Sequence, residues 1–122
     1  MRRVAAIAVL VPVAAAAGCG SGAPPPAGVP NSDPSRGKEL IVHYGCGSCH
    51  TIGGVSGANG KVGPPLDGFG ERQTIAGKLA NTPANLIRWI MDPQRVVPGN
   101  DMPDLGVSRD EARDVASYLY SH

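Results

Sequence analysis

A chain of 122 residues with 17 glycines, 12 prolines and three cysteines has room for one small domain plus appendages, and too few cysteines for a disulfide framework. Its 11 Lys+Arg against 10 Asp+Glu give a net charge of +1, and setting aside Arg2 and Arg3 leaves nine against ten. No basic patch interleaved with aromatic residues is present, which excludes nucleic acid as a partner.

In chain order, Arg2 and Arg3 precede an apolar run from Val4 to Ala17 that contains Pro12. The run is shorter than the roughly 20 residues a permanent membrane span needs. Residues 1–18 therefore read as a secretory signal peptide, which implies export. Ala16-Ala17-Gly18-Cys19 resembles a bacterial lipobox, with Ala16 where a larger aliphatic residue is usual. Lipidation of Cys19 and ordinary cleavage beside a stray cysteine are the two readings, and the unpaired exported cysteine favours the first. Acyl chains there would anchor the protein to a membrane. Residues 19–33 then form the tether: "GSGAPPPAGVPNSD" is rich in Gly, Pro and Ser and spans at most about 45–50 Å.

The folded domain is expected over residues 34–122, mostly α-helical with long loops. Asp33-Pro34 supplies an N-cap and a first-turn proline for a first helix that carries Leu40, Ile41 and Tyr44 and stops near Gly45. Between Thr51 and Ala80 stand ten glycines and prolines and few large apolar side chains, so a large apolar cofactor is expected to complete the core. Thr82-Pro83 opens a second helix that runs through Leu86, Trp89 and Ile90 to Asp92-Pro93. Ser108 and Glu111 form a capping box for a third, with Val115, Tyr118 and Leu119 on one face and Ala112 and Ala116 permitting close approach. No period-two strand pattern competes. His43 is expected to face solvent or a neighbouring loop, His122 to fray and Met91 to pack.

Cys46-Gly47-Ser48-Cys49-His50 admits three chemistries. A structural zinc site needs four ligands, and no second closely spaced pair exists. A redox dithiol needs a strand before the motif and a helix after it, whereas here a helix precedes it. The C-x-x-C-H pattern is the attachment signature of c-type haem. Its two thiols, on one side of a tight turn, add across the porphyrin vinyl groups, and the adjacent imidazole is carried under the ring to bind iron. A second axial ligand stands in "VVPGNDMPDLG", where Pro98-Gly99 fits the centre of a type II turn and Pro103 stiffens the far side of Met102. Met/His ligation raises the haem potential.

The stretches "RGKELIVHYGCGSCHTI", "KVGPPLDGF", "NLIRWIMDPQRVVPGNDMP" and "EARDVASYLY" together resemble a class I cytochrome c over Pro34 to His122, and in particular the cytochrome c domain fused to subunit II of some haem-copper oxidases. The resemblance implies an all-α fold around one covalently attached haem c, held by Cys46 and Cys49 with His50 and Met102 on the iron. It also implies that the Pro64 carbonyl accepts a hydrogen bond from the His50 imidazole, that Trp89 sits beside the haem, and that Gly37 and Ile41 cross Val115 and Tyr118. The function implied is single-electron transfer at the outer face of the cytoplasmic membrane or in the periplasm. The expected donor is of the quinol–cytochrome c reductase type and the acceptor a terminal oxidase; no small-molecule substrate is expected. With only Lys38, Lys61 and Lys78 available, electrostatic steering of partners is expected to be weak. Two other functions stay open: a haem sensor or peroxidase-like protein in which Met102 dissociates, and a thiol oxidoreductase using Cys46 and Cys49.

Overall fold

Among the described residues four helices begin at polar caps, and three of those caps are followed at once by proline, whose missing N–H costs nothing in a first helical turn. The computed structural model describes residues 28–122; the expected signal peptide and Cys19 lie outside the described residues. Helix α1 spans Pro34–His43, with the Asp33 carboxylate accepting from the Ser35 and Arg36 N–H groups. Gly45, at φ 68°, supplies the left-handed residue that stops it. Helix α2 is Pro83–Met91, capped by the Thr82 hydroxyl. Helix α4 is Arg109–Ser121, and its capping box closes from both sides, Ser108 to the Glu111 N–H and Glu111 to the Ser108 N–H.

Two elements depart from the expected order. Asp92-Pro93 ends α2 and also starts a further helix, α3, at Pro93–Val96, where Asp92 caps the Arg95 N–H. The stop signal repeats the start grammar of α1 and α2, so one dipeptide does both jobs. A small antiparallel ribbon pairs β1, Thr74–Ile75, with β2, Leu79–Ala80, in the register Thr74↔Ala80 and Ile75↔Leu79. Two-residue strands are too short to show alternation, and positive φ at Ala76 (50°) and Gly77 (65°) reverses the chain between them. The domain is nevertheless mostly helical, and among the described residues no helix is long and apolar enough to cross a membrane.

Helices α1 and α4 cross at Gly37. A Cβ there would clash with the Asp114 carbonyl oxygen and lie 2.6 Å from the carbonyl carbon and 3.1 Å from the Val115 nitrogen. Only hydrogen lets the two backbones meet so closely. Ile41, Val115 and Tyr118 are buried in the cluster around this crossing. Asp114 is 5% exposed, yet its charge is matched: one carboxylate oxygen accepts from the Asp33 N–H at 2.8 Å and the other from the Arg36 guanidinium at 2.9 Å. The Tyr118 hydroxyl donates to the Gly53 carbonyl at 2.8 Å, and the Tyr120 hydroxyl donates to the Asn81 side chain at 2.8 Å. Helix α2 adds Leu86, Ile87 and Ile90 to the same core.

His43 is exposed and Met91 is packed against the core, as expected. His122 differs, because the chain end is tied down. Its ring stacks on Tyr118 at a centroid distance of 4.0 Å, and its carbonyl accepts from the Gly68 N–H at 3.1 Å.

At the other end of α4, the Tyr44 hydroxyl donates to Glu111 at 2.9 Å, and the Ser108 hydroxyl donates to the same oxygen at 2.6 Å. The Ser108 hydroxyl and N–H, and then Tyr44, hold the Glu111 carboxyl below the ordinary range. A folded-state pKa depressed in this way contributes stability that is present above the unfolded value and is lost as pH falls through the folded one. Wild type is therefore expected to exceed Glu111→Gln in stability at neutral pH, with the gap closing below about pH 4. Denaturant titrations at several pH values check this; a gap that persists unchanged at low pH would rule out the carboxylate as its source.

Candidate functional site

The Cys46-to-His50 segment is shaped by three glycine contacts. The chain leaves α1 at Gly45 and makes one 3-10 turn, Cys46–Ser48, with the His50 N–H donating to the Cys46 carbonyl at 3.0 Å. The Gly-rich stretch that follows folds back over this turn. A Cβ on Gly47 would lie 2.7 Å from the Ala58 Cα, and one on Gly60 would clash with Ser48 and lie 2.5 Å from the Cys49 carbonyl carbon. A Cβ on Gly63 would clash with the His50 ring, 2.6 Å from Nδ1. Backbone bonds fix the overlay: Gly60 N–H to the Gly47 carbonyl at 3.0 Å, Gly63 N–H to that of Cys49 at 2.8 Å and Leu66 N–H to that of Thr51 at 2.8 Å. The glycines read in the sequence as missing core are here the residues that permit close approach.

His50 Nδ1 lies 2.7 Å from the Pro64 carbonyl oxygen. That oxygen only accepts, so the proton resides on Nδ1 and the Nε2 lone pair is left for another partner. The neighbouring Pro65 carbonyl accepts from Arg72, whose guanidinium lies 5.2 Å from the Phe69 ring centroid.

Cys46, His50, Trp89 and Met102 all line one cleft. Its remaining wall is apolar: Ile41 from α1, Ile52, Leu66 and Phe69 from the central stretch, Leu86 and Ile90 from α2, Leu105 and Val107 from the loop before α4, and Val115 and Leu119 from α4 itself. Cys49 is half-buried beside the cleft rather than in its lining, and Pro64 acts on it through His50. Burial pushes the Cys46 thiol up from its ordinary pKa, the reverse of what an attacking thiolate requires. Among the described residues no group of three or more His, Cys, Asp or Glu could hold a metal ion, so a zinc ligand set does not assemble there.

Met102 sits in the loop between α3 and α4. The Asn100 N–H bonds the Val97 carbonyl at 3.3 Å across Pro98-Gly99, and Gly99 has φ 78°, as the third position of a type II turn requires. Gln94 and Asn100, which the sequence reading did not single out, bond the same loop through their side-chain amides. The available signal was an amide residue directly after the Pro-Gly pair, a position that favours side-chain bonding to nearby backbone.

The residues present fit a covalently attached haem. Two thiols share one tight turn, the adjacent imidazole keeps a free Nε2, a thioether lines the same cleft, and the walls are hydrocarbon. A family model described as Cytochrome c matches residues 34–122. "Cytochrome c oxidase subunit 2" of Alkalihalophilus pseudofirmus is 38% identical over 88 residues, 71% of this chain but only 25% of that protein. "Cytochrome c2" of Rhodopila globiformis is 35% identical over 103 residues, 74% of this chain and 93% of that protein. "Cytochrome c-550" of Nitrobacter winogradskyi is 38% identical over 81 residues, covering 57% and 72%. Set beside the His50–Pro64 bond and the apolar cleft, these matches place the chain in the cytochrome c family, with the class I fold and one covalently attached haem c.

Proposed function

We propose that this protein is a membrane-anchored carrier of single electrons, with Cys46 and Cys49 as the thioether anchors of haem c and His50 and Met102 as its axial ligands. The observation that carries the reading is the 2.7 Å bond from His50 Nδ1 to Pro64, in a cleft that Met102 also lines. The bound haem supplies a one-electron Fe(III)/Fe(II) couple. Pro64 holds the His50 ring in orientation and raises its basicity as a ligand. Trp89 and the aliphatic wall give the cleft a hydrocarbon lining, which strengthens electrostatic effects inside it. Were the His50 imidazole and the Met102 thioether both to hold the iron, they would leave no position for a substrate, which favours a carrier over an enzyme. One electron is accepted from a reduced partner and passed to an oxidised one, with no change in covalent bonding.

The likeness to a region of oxidase subunits supports a terminal oxidase as acceptor, and a donor of the quinol–cytochrome c reductase type is the expected counterpart. Cys19, when lipidated, tethers the domain to the outer face of the cytoplasmic membrane or within the periplasm. A pyridine haemochrome of the purified protein is expected to show haem c that stays with the polypeptide through acid–acetone extraction, and to lose it in Cys46→Ala/Cys49→Ala. Extractable haem in wild type would sink the covalent assignment. Mass spectrometry of the mature N-terminus is expected to find acylated Cys19; an unmodified terminus elsewhere removes the anchor.

A further inference from the structure

Met102 lies in a loop without a helix or strand of its own, yet both of its backbone polar groups are engaged by side-chain amides. The Gln94 side chain donates to the Asn100 and Met102 carbonyls, each at 2.8 Å, and its oxygen accepts from the Gly99 N–H at 3.2 Å. The Asn100 side chain donates to the Pro93 carbonyl at 2.9 Å and the Val97 carbonyl at 2.7 Å, and its oxygen accepts from the Met102 N–H at 2.7 Å. An amide both donates and accepts, so one such side chain can stand in for the regular ladder this loop lacks. The base of the clamp is rigid, because Pro93 at the start of α3 is fully buried.

We infer that Gln94 and Asn100 are positioning residues for Met102, fixing the peptide groups on either side of it so that the thioether is presented to the cofactor cleft. The inference rests on the proposed role of Met102 as an axial ligand. Neither amide belongs to the hydrophobic cluster, so removing one loosens the loop while the helices keep their packing. A looser loop leaves Met102 in place for a smaller fraction of the time, and an external ligand for the same position gains apparent affinity by that factor.

The probe is imidazole added to the ferric holoprotein, followed by loss of the methionine–iron charge-transfer band. Gln94→Met keeps the side-chain length and deletes three hydrogen bonds, so imidazole is expected to bind about ten-fold tighter or more. Tyr120→Phe, which loses its bond to Asn81 away from the loop, is expected to leave imidazole affinity unchanged. Wild-type affinity in Gln94→Met, or an equal gain in both variants, overturns the inference. Amide hydrogen exchange in wild-type holoprotein tests the clamp whether or not Gln94→Met assembles. The Gly99 and Met102 N–H groups are expected to exchange about a hundred-fold slower than unstructured amides, and exchange at the unstructured rate overturns the clamp. A wild-type protein without the charge-transfer band, but with both amides protected, would instead remove Met102 from the iron and leave the clamp standing.

Discussion

Gly37→Ala is expected to destabilise the protein by about 3 kcal/mol, near the upper end of the usual cost of overpacking. In a helix interior the exchange would ordinarily help, by roughly 0.5–1 kcal/mol. Here the added Cβ meets backbone rather than a side chain, the carbonyl group of Asp114 and the nitrogen of Val115. Neither can rotate away, so α1 and α4 must separate, and the separation strains the Asp114 bonds to Asp33 and Arg36. For a domain of this size the corresponding fall in thermal midpoint is on the order of 10–20 °C. Thermal unfolding of the holoprotein measures it, and a loss below about 1 kcal/mol would mean that the crossing adjusts more freely than its geometry allows.

Met102→Ala is expected to lower the midpoint potential by tenths of a volt, a sizeable part of the roughly 0.8 V range over which axial ligands set haem potentials. A thioether favours the reduced metal; losing it leaves the position to water or to another side chain. His43 is exposed near the end of α1, and His122 is held against Tyr118, so neither stands in the cleft lining to take over. The variant is therefore expected to be high-spin, or to carry a foreign ligand, and to lack the charge-transfer band. A redox titration beside the ferric spectrum separates these outcomes. A variant with wild-type potential and band would show that Met102 is not bound to iron.

Helix starts were legible wherever a polar cap and a proline stood together, because capping is written in adjacent residues. Asp33-Pro34, Thr82-Pro83 and Ser108 through Glu111 all act locally, and the described structure has helices at each. Asp92-Pro93 carried the same signal, yet a stop was expected there, since one dipeptide cannot announce that it serves two helices. The C-x-x-C-H pattern and the Pro-flanked methionine stood out as candidates for a chemical reason, as few other tasks call for those groups together, and Cys46, His50 and Met102 line one cleft. What stayed hidden depends on contacts far apart in the chain. Nothing local says that Gly47, Gly60 and Gly63 lie across the cysteine segment, or that His122 is bonded to Gly68. The amide clamp lies between these cases: its partners are near in sequence, but Gln94 sits on a helix that was not expected.

The crossing of α1 with α4 joins the two ends of the domain, through bonds between residues 81 and 78 positions apart. A chain that emerges N-terminus first thus delivers Cys46, Cys49 and His50 well before the helix that locks α1 in place. Contacts of such long range are slow to close, because the ordering of the intervening chain must come first. Until Asp114 arrives, the Gly37 face has no partner, and the cysteine segment is held by its own turn and by the Gly60, Gly63 and Leu66 bonds that cross it. The closing of the domain therefore waits on its last helix, and a chain that stops short of Asp114 is expected to leave α1 without its crossing partner.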